Sequence, residues 1–126
     1  MAVRGIGGIF FRARDPDALA AWYRTHLQVG AGCAADPAAT GDEYSWQAEG
    51  GSVLFAPFPA DSDYFAADRQ WMLNLRVDGI DAMIAALRDA GLAVETRAEW
   101  DEAGAGRFAR LHDREGNAIE LWEPPT

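Results

Sequence analysis

GRFARLHDREGNAIELWEP, residues 106–124, decides the fold of this chain, because it joins two strand-like runs through a tight turn. Inward and outward residues alternate on either side of DREGN, as they do in β-strands that bury one face. Asp, Gly and Asn between two such runs favour a turn, so the stretch predicts a β-hairpin. Glu120 lies in the middle of the second strand, AIELWE, where a buried carboxylate needs a partner.

Two amphipathic helices are predicted before this hairpin, and their sequences form a weak repeat. DALAAWYRTHL begins at Asp17, and DAMIAALRDAG begins at Asp81. Apolar residues recur in both at the spacing of one helix face, so we expect each helix to pack on a sheet. Asp17 and Asp81 are suited to an N-cap or to the first turn of these helices.

Strand-like sequences surround both helices. GGIFFRA and WMLNLRV come before them, and the strands predicted after them are EYSWQAE, SVLFAPF, LAVETRAEW, GRFARLH and AIELWE. We therefore predict an α+β fold with two β-α-β-β-β modules, at about residues 3–58 and about residues 70–126 of a single domain, 1–126. The modules are expected to form a curved mixed sheet around a central cavity, with the helices outside and PADSDYFAADRQ as the linker.

Composition narrows the classes of partner. The net charge is −9 and there is no run of Lys or Arg, so we expect no nucleic-acid partner. No apolar stretch approaches the roughly 20 residues of a membrane span, and the start does not resemble a signal peptide, so we predict a cytoplasmic protein without a membrane partner. Cys33 is the single cysteine, which excludes an internal disulfide and a site with several thiolates.

Two motifs resemble the vicinal oxygen chelate superfamily, the glyoxalase/bleomycin resistance/dioxygenase proteins. Residues 10–27, FFRARDPDALAAWYRTHL, are similar to its opening strand, Asp turn and helix, and residues 106–124 are similar to its closing hairpin. Arg114 stands where that family usually has Pro. The resemblance covers nearly the whole chain and implies paired modules and a small organic molecule as ligand. It also implies a homodimer, which would cover sheet edges that are otherwise open.

The resemblance further implies four positions for metal ligands in the members that use a metal. These positions are occupied here by Gly8, Leu54, Met72 and Glu120. Only Glu120 suits a divalent ion, whereas a catalytic metal normally has about three protein ligands. We therefore predict no metal cofactor. In the alternative, a divalent metal is bound with His112 or water in place of the missing ligands.

The hairpin places Glu120 in the wall of the predicted cavity. Alternation directs Glu120 and Trp122 to the cavity, together with Phe108 and Arg110 of the preceding strand, and the turn brings Arg110 nearly opposite Glu120. Three interpretations of Glu120 stay open. It is a structural carboxylate neutralised by Arg110, or the pair binds a polar ligand group, or Glu120 is a catalytic general base.

Several further residues are predicted to line the cavity and bind the ligand, with core packing as the alternative for the aromatic ones. They are Phe10, Arg12, Trp46, Leu54, Met72 and Asn74. A mostly apolar cavity with a few polar groups is typical of a small-molecule site.

The predicted function is a small-molecule-binding protein similar to the drug-binding resistance members of the superfamily, or an enzyme that works without a metal. The alternatives are a divalent-metal-dependent lyase, isomerase or dioxygenase, and a regulatory subunit with a vestigial cavity.

Overall fold

A computed structural model describes residues 1, 9, 11–30, 46, 48–51 and 53–126 of the chain. In chain order the elements are α1 (Pro16–Leu27), β1 (Leu73–Arg76), α2 (Ile80–Asp89), α3 (Ala98–Asp101), β2 (Arg107–His112) and β3 (Ala118–Glu123). The fold is therefore α+β, as predicted. None of the described helices is long and apolar enough to cross a membrane.

The three described strands form one mixed sheet in the order β1-β3-β2. β3 is central; it pairs in parallel with β1 and antiparallel with β2, which confirms the predicted closing hairpin. The register pairs Glu120 with Arg110 on one side and with Asn74 on the other. Three polar residues therefore lie in one row across the sheet.

Helices α1 and α2 cover one face of the sheet. Alternation along β2 and β3 places Ala109, Leu111, Ile119 and Leu121 on this face, and each is at most 1% exposed. The helix residues of the same core cluster are Leu19, Tyr23 and Leu27 of α1, and Ile80, Ile84 and Leu87 of α2. Because the helices occupy this face, the row of polar residues lies on the other one.

Asp113 joins the hairpin turn to α1. Its Oδ1 accepts the backbone N–H groups of Glu115 (2.8 Å) and Asn117 (3.0 Å). Its Oδ2 accepts the Tyr23 hydroxyl and the Asn117 amide, both at 2.8 Å. Burial and the neighbouring Asp113 raise the pKa of Tyr23 well above its usual value, which keeps the phenol a neutral donor. The turn is thus held by a buried carboxylate with four donors.

The start of α1 follows the expected pattern. Asp15 is the N-cap and accepts the N–H of Ala18 at 3.1 Å, while Asp17 lies in the first turn. Glu115 of the hairpin turn accepts the N–H groups of Arg14 (2.7 Å) and Asp15 (3.0 Å), and these contacts lower the pKa of Glu115. The opening motif and the closing hairpin are therefore in direct contact.

The strand predicted for LAVETRAEW is wrong for most of its length. Its only pairing within the described residues is an isolated bridge between Glu95 and Arg110, and Ala98–Asp101 is the short helix α3. Asp101 Oδ1 accepts the N–H of Phe108 at 3.0 Å. A side chain thus fills the edge position of β2 that a longer strand would have occupied.

The first predicted module is represented by α1 alone within the described residues. Residues 53–58 of the predicted strand SVLFAPF form no strand there, and Pro57 and Pro59 lack the N–H groups that a strand ladder requires. GGIFFRA and EYSWQAE lie partly outside the described residues. Residues 73–123 contain β1, α2, α3, β2 and β3 in that order, with an isolated bridge at Glu95 between α2 and α3.

Candidate ligand-binding site

The candidate site is centred on a buried pair of opposite charges. Glu120 is 7% exposed and Arg110 is 8% exposed. The Arg110 Nη2 atom lies 4.0 Å from Glu120 Oε2, a separation that allows charge attraction but is too long for a hydrogen bond. Each charge therefore also depends on other partners.

Neutral donors complete the surroundings of the Glu120 carboxylate. Asn74, its partner in the sheet register, donates from Nδ2 to Oε1 at 2.8 Å. The hydroxyl of Tyr64 donates to Oε2 in a short hydrogen bond. Each carboxylate oxygen thus has a donor of its own in addition to the nearby guanidinium.

Arg110 is held mainly by aromatic rings and a carbonyl. Its Nη1 donates to the backbone oxygen of Tyr64 at 3.0 Å. Its Cζ lies 4.8 Å from the ring centroid of Tyr64 and 5.7 Å from that of Trp100, within the range of cation–π attraction. The Nε atom is buried and has no hydrogen-bond partner within the described part of the chain. Arg110 thus keeps an unused donor at the centre of the site.

Sequence reasoning missed Tyr64 and Trp100 as site residues. Tyr64 belongs to the segment that was predicted to be only a linker, and Trp100 belongs to the end of a strand that is instead α3. The available signal was the aromatic pair Tyr64 and Phe65 within a segment of otherwise small and acidic residues. Large aromatic side chains are mostly buried in folded proteins, so this pair favours a contact between the segment and the sheet.

The phenol of Tyr64 is expected to ionise at a higher pH than that of an ordinary tyrosine. Burial and the hydrogen bond to Glu120 raise its pKa to about 12. Its neutral form therefore stabilises the fold fully below the unfolded value of about 10, and this contribution is lost as the pH rises towards 12. The phenolate absorbance is titrated with pH for the wild type and for Tyr64→Phe, and the difference between the two curves isolates the ionisation of Tyr64. A difference curve with a midpoint near 10 would contradict the contact with Glu120.

Phe108 and Trp122 lie beside the charged pair, as predicted. They pair with each other in the β2–β3 register, two residues along from Arg110 and Glu120, and both are half-buried. The Nε1 of Trp122 donates to the carbonyl of Ala105 at 2.7 Å. Gly106, with φ of 115°, follows that carbonyl, and a Cβ there would collide with the backbone oxygen of Glu123. The glycine therefore allows the close approach that orients Trp122.

The other predicted cavity residues are exposed or half-buried where the structure describes them. Leu54 is 75% exposed, and residues 53–58 around it are not in a strand. Trp46 is 45% exposed, Met72 is half-buried just before β1, and Phe10 lies outside the described residues. Arg12 is exposed, and residues 11–13 are not in a strand.

Arg12 lies at a separate cleft near the hairpin turn. The cleft has a volume of about 370 Å³, and its lining, which does not include Glu120 or Arg110, is Arg12, Ala13, Arg14, Arg69 and Glu115. Arg12 and Glu120 therefore do not share this cleft.

The residues around Glu120 are a poor set for a divalent ion. Within the part of the chain that is described, no group of three His, Cys, Asp or Glu side chains could share a metal. The nearest charged neighbour of Glu120 is the guanidinium of Arg110, which would repel a cation. His112 is exposed at the end of β2.

The mixed sheet, with α1 and α2 on one face and the Arg110–Glu120 pair on the other, is consistent with a glyoxalase-like protein. Residues 8–122 match the family described as the glyoxalase-like domain, and the chain belongs to this family. Its structure is similar to that of TnmS3, an antibiotic binding protein from Streptomyces sp. CB03234, with a TM-score of 0.60 and 23% identity over 99% of each chain. A comparison with curated protein sequences finds no match.

Proposed function

We propose that this protein binds a small organic molecule at Arg110 and Glu120, in the manner of a bleomycin-resistance-like binding protein, and that it does so without a metal ion. The observation that carries this proposal is the buried ion pair whose guanidinium lies against the rings of Tyr64 and Trp100. The likeness in fold to an antibiotic-binding protein supports a drug-like ligand.

The site offers a distinct chemical role for each group. Arg110, with its unpaired Nε, suits a carbonyl or anionic oxygen of the ligand. Each oxygen of the Glu120 carboxylate can accept a second hydrogen bond, from a hydroxyl or an amine. Phe108, Trp100 and Trp122 supply half-buried aromatic surface for the apolar part of the molecule.

Glu120 as a catalytic general base is a weaker proposal. Asn74 and Tyr64 already direct donors at its two oxygens, and Arg110 lies beside them. Three groups thus already bind the carboxylate that would have to take up the proton of a substrate. We therefore favour binding over catalysis; if the protein is an enzyme, Glu120 is the proposed catalytic residue.

Binding is tested by thermal shift with a library of small aromatic and carbonyl compounds. We expect at least one saturable ligand for the wild type and a clear loss of its affinity in Arg110→Lys, which keeps the charge but not the planar donor set. Arg107→Lys is the matched control: Arg107 lies on the same strand but pairs with Asp81 and Asp101 near the surface. Equal loss in both variants, or no ligand for the wild type, would contradict the proposal.

No stoichiometric Zn, Ni, Mn or Fe is expected in the site. A divalent ion would have one carboxylate ligand and would lie close to the guanidinium of Arg110. Calorimetric titration with each ion should show no saturable binding at low micromolar concentration. Tight binding of one equivalent that Glu120→Gln abolishes would replace this proposal with a metal-dependent lyase, isomerase or dioxygenase.

We also propose a homodimer, in a cytoplasmic protein. Several large apolar side chains are exposed on the single chain, and a second copy would remove them from water. They include Val53, Leu54, Phe55, Phe58 and Trp71. Light scattering should give the mass of a dimer at micromolar concentration, and a monomer mass across that range would contradict the proposal.

A further inference from the structure

Tyr64 satisfies both members of the buried pair at once. Its hydroxyl donates to Glu120, its backbone oxygen accepts from Arg110 at 3.0 Å, and its ring lies 4.8 Å from the guanidinium carbon. A single residue therefore supplies a donor, an acceptor and an aromatic face. These are the three features that the pair can recognise in a small molecule.

We propose that Tyr64 occupies the place of the ligand, and that the ligand is a phenol with a nearby carbonyl or similar acceptor, which binds by displacing Tyr64. This inference rests on the proposed function and specifies the chemical class of its ligand.

The location of Tyr64 makes this residue the one that can leave. Tyr64 is half-buried whereas Glu120 and Arg110 are buried, so Tyr64 covers the pair. Its segment contains only turns, such as Ser62 N–H to Pro59 O and Arg69 N–H to Ala66 O, and no helix or strand has to break for it to move. Arg69 anchors the far end by donating to Asn117 and to the Glu115 carbonyl. The tyrosine can therefore swing out while the segment stays attached.

The other groups around the pair are fixed more firmly. Asn74 is a strand residue held in register with Glu120, and Trp100 belongs to α3. After Tyr64 leaves, Glu120 Oε2 lacks its hydroxyl donor and Arg110 Nη1 lacks its acceptor, in addition to the unpaired Nε. The open site therefore requires one donor and at least one acceptor from the ligand.

The charge of Arg110 favours a hydroxyl over a protonated amine as that donor. An ammonium group within hydrogen-bond distance of Glu120 Oε2 would lie close to the guanidinium, whose Nη2 is 4.0 Å from the same oxygen. Like charges at such a distance repel each other strongly in a buried site. A neutral phenol makes the same hydrogen bond without this repulsion, and its ring can replace that of Tyr64 over Arg110.

Chemical rescue in the full chain tests the displacement. Tyr64→Gly removes the side chain, whose free equivalent is p-cresol. We expect p-cresol to raise the melting temperature of Tyr64→Gly in a saturable way, at a concentration at least about tenfold lower than the wild type requires, because no internal group competes. Toluene, which lacks the hydroxyl, and benzylamine, which carries a positive charge, should stabilise it less.

Two variants serve as controls for this rescue. Phe65→Gly makes the same backbone change at the next residue, whose ring contacts Phe58, and should gain nothing specific from p-cresol. Tyr64→Gly combined with Glu120→Gln should lose the preference for p-cresol over toluene. Equal rescue by toluene and p-cresol, or equal rescue of Phe65→Gly, would overturn the inference.

If Tyr64→Gly does not fold, a second measurement with Tyr64→Phe still tests the displacement. Tyr64→Phe keeps the ring and removes only the competing hydroxyl, so its affinity for 4-hydroxyacetophenone should exceed that of the wild type severalfold. Weaker binding by Tyr64→Phe would make Tyr64 a ligand contact and overturn the displacement. If compounds without a phenol bind through Arg110 and phenols show no advantage, this inference fails while the proposed function stands. If no compound binds any variant, both fail.

Discussion

Replacing Arg110 with Ala is expected to lower the free energy of unfolding by about 3–5 kcal/mol, because the change leaves the Glu120 carboxylate buried without its cation. Both side chains are about one-tenth exposed, at 9% and 10%, so water screens the stranded charge poorly. The same change removes the group that lies over the rings of Tyr64 and Trp100. Urea unfolding followed by circular dichroism measures this loss.

Three further variants separate charge from packing in this result. Glu120→Gln should cost less, since Arg110 keeps the Tyr64 carbonyl and both rings. The double variant Arg110→Ala with Glu120→Gln should be more stable than Arg110→Ala alone, since no buried carboxylate is left. Arg107→Ala, which breaks ion pairs at the surface, should cost about 1 kcal/mol or less. A double variant no more stable than Arg110→Ala would show that lost packing causes the effect.

Replacing Asp113 with Ala is expected to lower the free energy of unfolding by about 2–4 kcal/mol, because several donors lose their acceptor. These are the Tyr23 hydroxyl, the Asn117 amide and the N–H groups of Glu115 and Asn117. The Tyr23 hydroxyl matters most, since the residue is 8% exposed and water cannot easily replace the carboxylate. Chemical unfolding of both proteins gives the difference.

Tyr23→Phe provides the matched control for Asp113→Ala. It removes one hydrogen bond and leaves Asp113 with its three donors in the turn, so the expected cost is about 1 kcal/mol. In the double variant the two costs should not add, because the Tyr23 hydroxyl is no longer present to be stranded. Additive costs would show that the turn alone, without the contact to α1, explains the effect of Asp113.

The elements that could be predicted are those with a local pattern. The helical spacing of apolar residues predicted α1 and α2 to within a few residues of Pro16–Leu27 and Ile80–Asp89. The tight turn between two alternating runs predicted β2 and β3, and the number of residues in that turn brought Arg110 opposite Glu120. The cavity residues of the first module could not be predicted from such a local pattern. Leu54 and Arg12 depended on strands whose pairing partners lie far along the chain.

By itself, therefore, the sequence determined the closing hairpin, the two helices and the pairing of Arg110 with Glu120. Each of these follows from spacing within about ten to twenty residues, which the period of a helix or strand encodes directly. Only the tertiary structure decided that Tyr64 and Trp100 cover the pair and that Asp101 takes the place of a strand along β2. The physical reason is that turns and short helices have no period that reveals their neighbours. Their contacts depend on which buried charge or open strand edge remains to be satisfied once the sheet has formed.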